Sequence, residues 1–235
     1  MPAERPGQQV SSRSEVDAFL ETVRARPARP GGARRGRLIF ALDATASRKP
    51  TWDRACHIQA EMFHETATLG GLDVQLVFYR GFRECKSSKW HSDPDALGRV
   101  MTGVACLGGQ TQIGKVLSHA KAETGRDKVD ALIFVGDAFE EDIDAVCHVA
   151  GELGVLGVPV FVFHEGGDPI AADAFRQIAR LTQGAYCPFD LSSADRLKDL
   201  LAAVAVYAAG GRKALADFGA KRGEAVKLLT SQMRR

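Results

Sequence analysis

Short runs of mostly apolar residues, separated by turns and by stretches with helical spacing, dominate the chain from residue 37 onwards. Three of these runs, Leu38–Leu42, Val129–Val135 and Val158–Phe163, are too short for typical buried helices and are rich in branched and aromatic residues. Such runs predict strands that are buried on both faces, as in a parallel α/β sheet. A fourth run, Val74–Tyr79, is predicted to be a further strand of the same sheet.

A half-exposed edge strand is predicted at Phe82–Lys86, where apolar and polar residues alternate. The short Arg80-Gly81 link before it predicts a hairpin, which makes the edge strand antiparallel. A short final strand is predicted at Ala185–Cys187. The stretches between strands have helical periodicity, and the predicted helices are Thr51–Leu69, Asp93–Met101, one that starts with Ile113, one that opens at Asp168-Pro169, and Ser192–Ala209. The predicted fold is α/β: a Rossmann-like, doubly wound, mostly parallel sheet with helices on both faces.

The chain is expected to divide into three parts: an arm and linker at 1–36, a main domain at 37–209, and a charged amphipathic helix at 210–235. The stretch Arg24–Arg37 is crowded with arginine, proline and glycine, so it is predicted to be a solvated linker. Its six arginines suit a nucleic acid or an acidic partner, but the stretch lacks aromatic residues for base stacking. The last helix either packs back on the domain or meets a partner.

Composition narrows the class of protein. A chain of 235 residues with 45% hydrophobic residues can bury a full core, and the net charge of +2 gives no reason to expect nucleic-acid or membrane binding. No apolar signal core and no run long enough to span a bilayer is present, so the expected location is the cytoplasm. The five cysteines are scattered without a C-x-x-C pair, which predicts reduced thiols rather than disulfides or a zinc ribbon: Cys56, Cys85, Cys106, Cys147 and Cys187.

Polar side chains follow the first predicted strand directly. Asp43, Thr45 and Ser47 occupy alternate positions, so in an extended loop their oxygen atoms point the same way. Because ligands bind beyond the carboxyl ends of parallel strands, these groups are expected to face a crevice. Hard oxygen ligands suit Mg²⁺ or Mn²⁺. The alternative is a helix cap, since all three residue types cap helices well.

Two later features bring more oxygen atoms to the same edge. A glycine-rich turn, Gly108–Gly114, carries Thr111, which is either a simple helix cap or another hydroxyl for the crevice. The strand Val129–Val135 also ends near a carboxylate, that of Asp137. Carboxylates that converge at one sheet edge repel each other unless a cation or a proton intervenes, which favours a metal site. Residues Glu140–Asp142 are predicted to begin the next helix.

These motifs together resemble the metal-ion-dependent adhesion site (MIDAS) of von Willebrand factor type A (VWA) domains: Asp43-x-Thr45-x-Ser47, Gly108-Gly109-x-Thr111-x-Ile113 and Gly136-Asp137. The family has a serine where this chain has Thr45, and threonine keeps the oxygen. The resemblance extends over about Leu38–Tyr207 and implies the VWA fold. It also implies that Thr45, Ser47 and sometimes Thr111 bind the ion directly, while Asp43 and Asp137 act largely through water.

The resemblance further implies a non-enzymatic function. The ion keeps one position open for a carboxylate from a protein partner, and no side chain here is an evident nucleophile with a base beside it. By analogy of fold, an AAA+ ATPase or chaperone complex is a candidate partner. The partner-binding rim is expected at loops 48–52, 108–112 and 138–141, with these candidate residues: Trp52, Gln110, Phe139 and Glu140.

Two alternatives stay open: a metal-free scaffold domain and a phosphoryl-transfer enzyme. Haloacid dehalogenase-like phosphatases and P-type ATPases also begin with a buried strand that ends in an aspartate, and they place Gly-Asp after a later strand. In that interpretation Asp43 is the phosphoryl acceptor and Mg²⁺ stabilises the transferring group. The lysine that such enzymes require has no clear motif here, and the glycine-rich turn matches the adhesion site better.

Overall fold

A single six-stranded sheet organises the described part of the chain. The computed structural model describes residues 35–49, 72–189 and 202–208. The strand order is β3-β2-β1-β4-β5-β6, and every neighbouring pair is parallel except β2 with β3. This arrangement confirms the predicted mostly parallel sheet with one antiparallel edge strand. The strands are β1 Gly36–Asp43, β2 Leu72–Arg80, β3 Glu84–His91, β4 Ala131–Gly136, β5 Val160–Glu165 and β6 Ala185–Phe189.

Helices cover both faces of the sheet, as the doubly wound prediction requires. They are α1 Pro94–Thr102, α2 Ile113–Arg126, α3 Ile143–Val155 and α4 Pro169–Leu181, with a 3₁₀ turn at Ala46–Arg48 and a helical segment at 202–208. Alternate β1 residues enter two separate cores. Leu38, Phe40 and Leu42 pack with α1 and with 202–208, whereas Ile39 and Ala41 pack with α2, α3 and α4. Burial on both faces explains why the middle of β1, Leu38–Leu42, is apolar throughout.

Aspartates begin three of the helices. The carboxylates of Asp93, Asp142 and Asp168 accept hydrogen bonds from backbone N–H groups in the first turns of α1, α3 and α4. The predicted starts at Asp93-Pro94 and Asp168-Pro169 are confirmed. The prediction for Glu140–Asp142 was partly wrong, because α3 begins only at Ile143 and Asp142 is its cap.

The edge strand lies later in the chain than predicted. Residues 81–83 form the turn, in which Gly81 has a φ of 59°, and β3 then runs over Glu84–His91 rather than Phe82–Lys86. A positive φ is readily adopted by glycine, so the turn is centred on the residues after Arg80. The far end of β3 was missed because its serine and lysine side chains give no apolar alternation.

The end of the predicted linker belongs to the folded body. The Nε atom of Arg35 lies 2.8 Å from an Asp73 carboxylate oxygen. The guanidinium of Arg37 stacks 3.9 Å from the centre of the Trp90 ring and lies 3.4 Å from the Glu123 carboxylate. These two arginines are therefore held by the sheet and by α2, in contrast to the solvated linker that was predicted up to Arg37.

Other predictions lie wholly or partly outside the described residues. Outside them are residues 1–34, the predicted helix Thr51–Leu69 and the C-terminal stretch 210–235, while 202–208 is the described part of the predicted helix Ser192–Ala209. Among the described residues, no helix has the length and apolar character that a membrane span needs. Cys85 and Cys147 are free thiols, as predicted, and Cys56 is outside the described ranges.

Candidate metal site

The two aspartates of the predicted site lie side by side. Strands β1 and β4 are parallel neighbours, with Leu42 opposite Val135, so both strands end on the same side of the sheet. The Cβ atom of Asp43 is 3.5 Å from the point that a Cβ atom on Gly136 would occupy. Asp137 follows Gly136 directly, which brings its carboxylate near that of Asp43.

Both carboxylate oxygens of Asp43 accept hydrogen bonds inside the protein. The backbone N–H of Thr45 donates to Oδ1 at 2.7 Å, and the phenol of Tyr79 donates to Oδ2 at 2.9 Å. Asp43 is fully buried, and burial raises its pKa; the hydrogen bonds from Thr45 lower it, and the nearby Asp137 charge raises it. Asp43 is thus a buried carboxylate in a fixed orientation, with a second carboxylate close by.

Asp137 contributes a carboxylate oxygen that the fold leaves unsatisfied. Its Oδ1 atom is buried and accepts no hydrogen bond from any described residue. Leaving such an acceptor without a partner costs about 1–3 kcal/mol, and more when the group is charged. An ordered water or a cation at this position would remove that cost, so Asp137 Oδ1 is the feature that fits a metal ion best.

The hydroxyls of Thr45 and Ser47 converge. Their Oγ atoms are 3.0 Å apart, with Thr45 buried and Ser47 exposed. The loop that carries them is held to the chain around Leu107, because the Leu107 N–H donates to the Ala44 carbonyl at 3.1 Å and the backbones of Thr45 and Leu107 form a bridge. The expectation of an extended loop was wrong, because Ala46–Arg48 form a 3₁₀ turn. The two hydroxyl oxygens nevertheless lie close together.

Thr111 is tied to the loop that follows β4. Its Oγ1 accepts a hydrogen bond from the Glu140 N–H at 2.9 Å, and its own N–H donates to the Glu140 carboxylate at 3.2 Å. The hydroxyl does not cap α2, which begins after Gln112 without a cap from that residue. Instead, the carboxylate of Glu141 accepts hydrogen bonds from the N–H groups of Ile113 and Gly114. Thr111 is thus fastened to the segment that contains Asp137.

The structure describes three of the four predicted rim residues. Gln110 and Glu140 are exposed, as an interaction rim requires. Phe139 is only 8% exposed, and its ring packs edge-on against Phe175 with 6.4 Å between centroids. The choice of Phe139 as a rim residue was therefore wrong, because its ring packs in the hydrophobic core. Trp52 lies outside the described residues.

Two features near the site were missed by the sequence reasoning. Tyr79 was treated as an ordinary strand residue, although it stands opposite Asp43 in the β1–β2 register. Arg48, immediately after Ser47, is 1% exposed and its Nε lies 3.0 Å from the Glu165 carboxylate at the end of β5. Tyr79 is the last residue of its predicted strand, and Glu165 comes two residues after the end of its predicted strand. These positions beside strand ends were the available signals.

The donor set fits a hard divalent cation. Within the described ranges, no group of three or more His, Cys, Asp and Glu side chains could hold a metal. The site instead offers two carboxylates and neutral hydroxyls, a combination that suits Mg²⁺ or Mn²⁺ with water completing the shell. The residues that would hold the ion are Asp43, Thr45, Ser47, Thr111 and Asp137.

The chain resembles known proteins in its three-dimensional structure but not in its sequence. No family model and no curated protein matches the sequence. Among solved structures, the chain resembles a von Willebrand factor type A protein from Catenulispora acidiphila, with a TM-score of 0.58, 16% identity, and coverage of 72% of this chain and 42% of that one. It resembles the SpRpn10 VWA domain with a TM-score of 0.55 and 11% identity, covering 72% of this chain and 94% of that one.

A third neighbour carries a metal. Proximal thread matrix protein 1 from the mussel byssus, solved with a zinc-occupied MIDAS motif, matches with a TM-score of 0.54 and 18% identity, covering 73% of this chain and 46% of that one. This chain thus covers less than half of the mussel and Catenulispora chains. These likenesses show that the chain has the VWA-like fold, a fold in which one neighbour binds a divalent ion.

Proposed function

We propose that this chain is a non-enzymatic, divalent-metal-dependent protein interaction module. The ion is held at Asp43, Thr45, Ser47, Thr111 and Asp137, and it captures a carboxylate from a protein partner. The observation that carries the proposal is the buried Oδ1 of Asp137, which has no hydrogen-bond partner among the described residues and lies beside the buried Asp43. The converging hydroxyls of Thr45 and Ser47 support it.

The chemistry of the ligands favours binding. Neutral hydroxyls and water donate little charge to Mg²⁺ or Mn²⁺, so the cation remains electrophilic and attracts an external carboxylate. Mg²⁺ and Mn²⁺ are the proposed ions because every donor is a hard oxygen. The proposed partner is a protein that presents an Asp or Glu, in the cytoplasm. An AAA+ ATPase or chaperone complex is the partner class that analogy of fold suggests.

Phosphoryl transfer by Asp43 is less well supported. A nucleophilic carboxylate needs an oxygen that can reach the substrate. Here Oδ1 accepts from the Thr45 N–H and Oδ2 accepts from the Tyr79 phenol, and the side chain is fully buried. This arrangement suits a carboxylate that acts on an ion through water better than one that forms a covalent intermediate.

Metal binding is tested by thermal unfolding of the full chain in Mg²⁺ or Mn²⁺. Because a ligand of the native state stabilises by mass action, the wild type should gain about 2.7 kcal/mol at one hundred times Kd, roughly 5–10 °C in Tm. Asp43→Asn and Asp137→Asn should lose this gain. Asp173→Asn is the matched control, since Asp173 is exposed on α4 and pairs only with Arg176 among the described residues.

The metal-free melting temperature shows whether Asp43→Asn folds, and the burial of Asp43 predicts its direction of change. Burial raises the pKa of Asp43 above its ordinary value, so Asp43 is protonated more readily in the folded than in the unfolded chain. Stability from Asp43 is therefore present at low pH and is lost as the pH rises through its folded pKa. At neutral pH, Asp43→Asn should keep or raise the metal-free Tm while it removes the metal response. A response to Mn²⁺ that survives in both Asp43→Asn and Asp137→Asn would place the ion elsewhere.

A further inference from the structure

An exposed aromatic side chain stands at the metal edge of the sheet. Because β2 runs parallel to β1, the turn that follows it, residues 81–83, lies at the edge where β1 ends. Phe82 in this turn is 73% exposed. Isolated exposed apolar residues are common on protein surfaces. Phe82 differs from them in two ways: its turn is hydrogen-bonded to the loop that carries Thr111, and charged side chains surround it.

The turn is fixed against the loop that carries Thr111. The N–H of Gln110 donates to the Gly81 carbonyl at 3.2 Å, and the Gln112 amide donates to the carbonyls of Arg80 and Gly81, also at 3.2 Å. A Cβ atom on Gly109 would lie 2.0 Å from the Gly81 oxygen, so this close approach requires glycine. Phe82 is therefore presented on a rigid support that is continuous with the metal site.

A second exposed apolar side chain, Leu107, lies at the start of this loop. Leu107 is 46% exposed, and its backbone is bridged to that of Thr45 in the metal loop. Residues 107–111 thus connect the hydroxyl loop to the hairpin turn. Phe82 stands at the hairpin turn and Leu107 at the bridge to Thr45. These two side chains can make the apolar contacts with a partner that the buried Phe139 cannot make.

The charges near the hairpin are mainly positive. Arg80 and Lys86 both pair with Glu84, at 3.0 and 2.7 Å. Arg83 and Lys115 are exposed, and neither forms an ion pair with a described carboxylate. The Lys115 ammonium donates instead to the Gln112 side chain at 2.7 Å and to the Arg83 carbonyl at 3.3 Å. The hairpin therefore carries excess positive charge, which complements an acidic partner.

We propose that these residues form a docking surface for an acidic protein segment that also carries an apolar residue. The surface, here called the hairpin surface, consists of Phe82, Arg83, Leu107 and Lys115. The proposal rests on the proposed function, in which one carboxylate of the segment binds the metal ion. The apolar residue of the segment then covers Phe82 and Leu107, and further acidic residues lie over Arg83 and Lys115.

Energetic considerations support a composite surface. A single carboxylate on a metal ion offers too little contact area for a specific interface. Binding energy in interfaces concentrates in a few residues, in which aromatic and arginine side chains are enriched. A rigid turn adds to affinity because little ordering is needed when the partner binds. The hairpin surface supplies an aromatic residue and an arginine at adjacent positions, on a fixed support.

The test is selection of binders from a phage-displayed library of random dodecapeptides on the wild-type chain in Mn²⁺. Selected peptides should carry an Asp or Glu together with an aromatic or aliphatic residue. Synthesised singly, they should bind Phe82→Ser at least tenfold more weakly than wild type and lose binding to Asp137→Asn. Val155→Ser should bind them like wild type, because Val155 is an exposed apolar residue, 90% accessible, at the end of α3.

The outcomes separate this inference from the proposed function. Peptides that need Mn²⁺ but bind Phe82→Ser as well as wild type would overturn the hairpin surface and leave the metal site standing. Peptides that lose affinity for Phe82→Ser but bind equally in EDTA would support the surface and count against metal-dependent capture. If no peptide is enriched, or if only a single-stranded DNA oligonucleotide binds through Phe82, the proposed acidic protein segment is wrong.

Discussion

At the scale of single residues, Tyr79 determines how Asp43 is oriented. It stands opposite Asp43 in the sheet, its backbone carbonyl accepts from the Ala44 N–H at 2.9 Å, and its phenol donates to Asp43 Oδ2. The ring is fully buried and stacks on Phe134 with 6.3 Å between centroids. Burial, followed by the charge of Asp43, raises the pKa of Tyr79 well above its ordinary value, so the phenol remains a hydrogen-bond donor.

Tyr79→Phe is therefore expected to weaken Mn²⁺ binding by about 10–100-fold, the range typical for loss of a group that orients a metal ligand. The ring still packs on Phe134, but Asp43 loses one restraint. The measurement is isothermal titration calorimetry with Mn²⁺, performed well below the metal-free Tm of each variant so that only folded protein is compared.

Tyr186→Phe is the matched control for this substitution. It also removes a tyrosine hydroxyl that makes a hydrogen bond within the sheet, in this case to Nδ1 of His164 at 2.9 Å. Neither residue belongs to the proposed ligand set. Mn²⁺ affinity should fall much less in Tyr186→Phe than in Tyr79→Phe, because the Tyr186 hydroxyl bonds to His164 rather than to a carboxylate of the proposed site. Equal affinity in wild type and Tyr79→Phe would show that the phenol does not assist metal binding.

At the scale of elements, the loop between β4 and α3 serves three purposes. It carries Asp137 at the carboxyl end of β4, binds Thr111 through Glu140, and caps α2 through Glu141. Glu141 lies 28 residues after Ile113, the first residue of α2, so this is a cap supplied by a distant segment. A carboxylate at a helix N-terminus satisfies free N–H groups and complements the helix dipole.

Glu141→Ala should lower the free energy of unfolding by about 0.5–2 kcal/mol, as expected for loss of a helix cap. The measurement is urea unfolding in the absence of metal, where the midpoint should fall while the slope stays constant. Glu152→Ala is the control, because Glu152 makes an exposed pair with Lys121 and its loss should have a smaller effect. A Glu141→Ala midpoint equal to that of wild type would mean that water replaces the cap.

At the scale of the whole molecule, the two ends of the parallel strands differ in chemistry. The proposed metal site and the hairpin surface are at the carboxyl ends of the parallel strands, where open α/β sheets bind ligands. Near the start of β1, Arg37 packs on Trp90 and pairs with Glu123, and the indole N–H of Trp90 donates to the same carboxylate at 2.8 Å. This cluster ties β1, β3 and α2 together, away from the functional edge.

Two N-terminal deletions should therefore behave differently. Removal of residues 1–34 should leave the melting temperature nearly unchanged, because the composition of that stretch is poor in buried-type residues. Removal of residues 1–37 should lower stability by at least about 2 kcal/mol, since it takes away Arg37 and the start of β1. Differential scanning calorimetry measures both. A large loss for the shorter deletion would show that the arm is docked on the domain.

The sequence by itself determined the class of fold and the position of the candidate ligands along the chain. Apolar runs such as Leu38–Leu42 define strands because burial on both faces excludes polar side chains over five or more residues. Asp43 and Asp137 were found because parallel strands place their carboxyl ends at one edge. These inferences need only the periodicity of consecutive residues and the general rules of sheet topology.

Only the tertiary structure decided how side chains far apart in the chain meet. Tyr79 reaches Asp43, Glu141 caps α2, and Phe139 turns into the core against Phe175. Each of these contacts depends on the relative placement of two elements and on the rotamer of one side chain. Neither can be predicted from the periodicity of the sequence. The hairpin beside the Thr111 loop is a further case, because the close contact of Gly109 with Gly81 joins two turns that no local pattern connects.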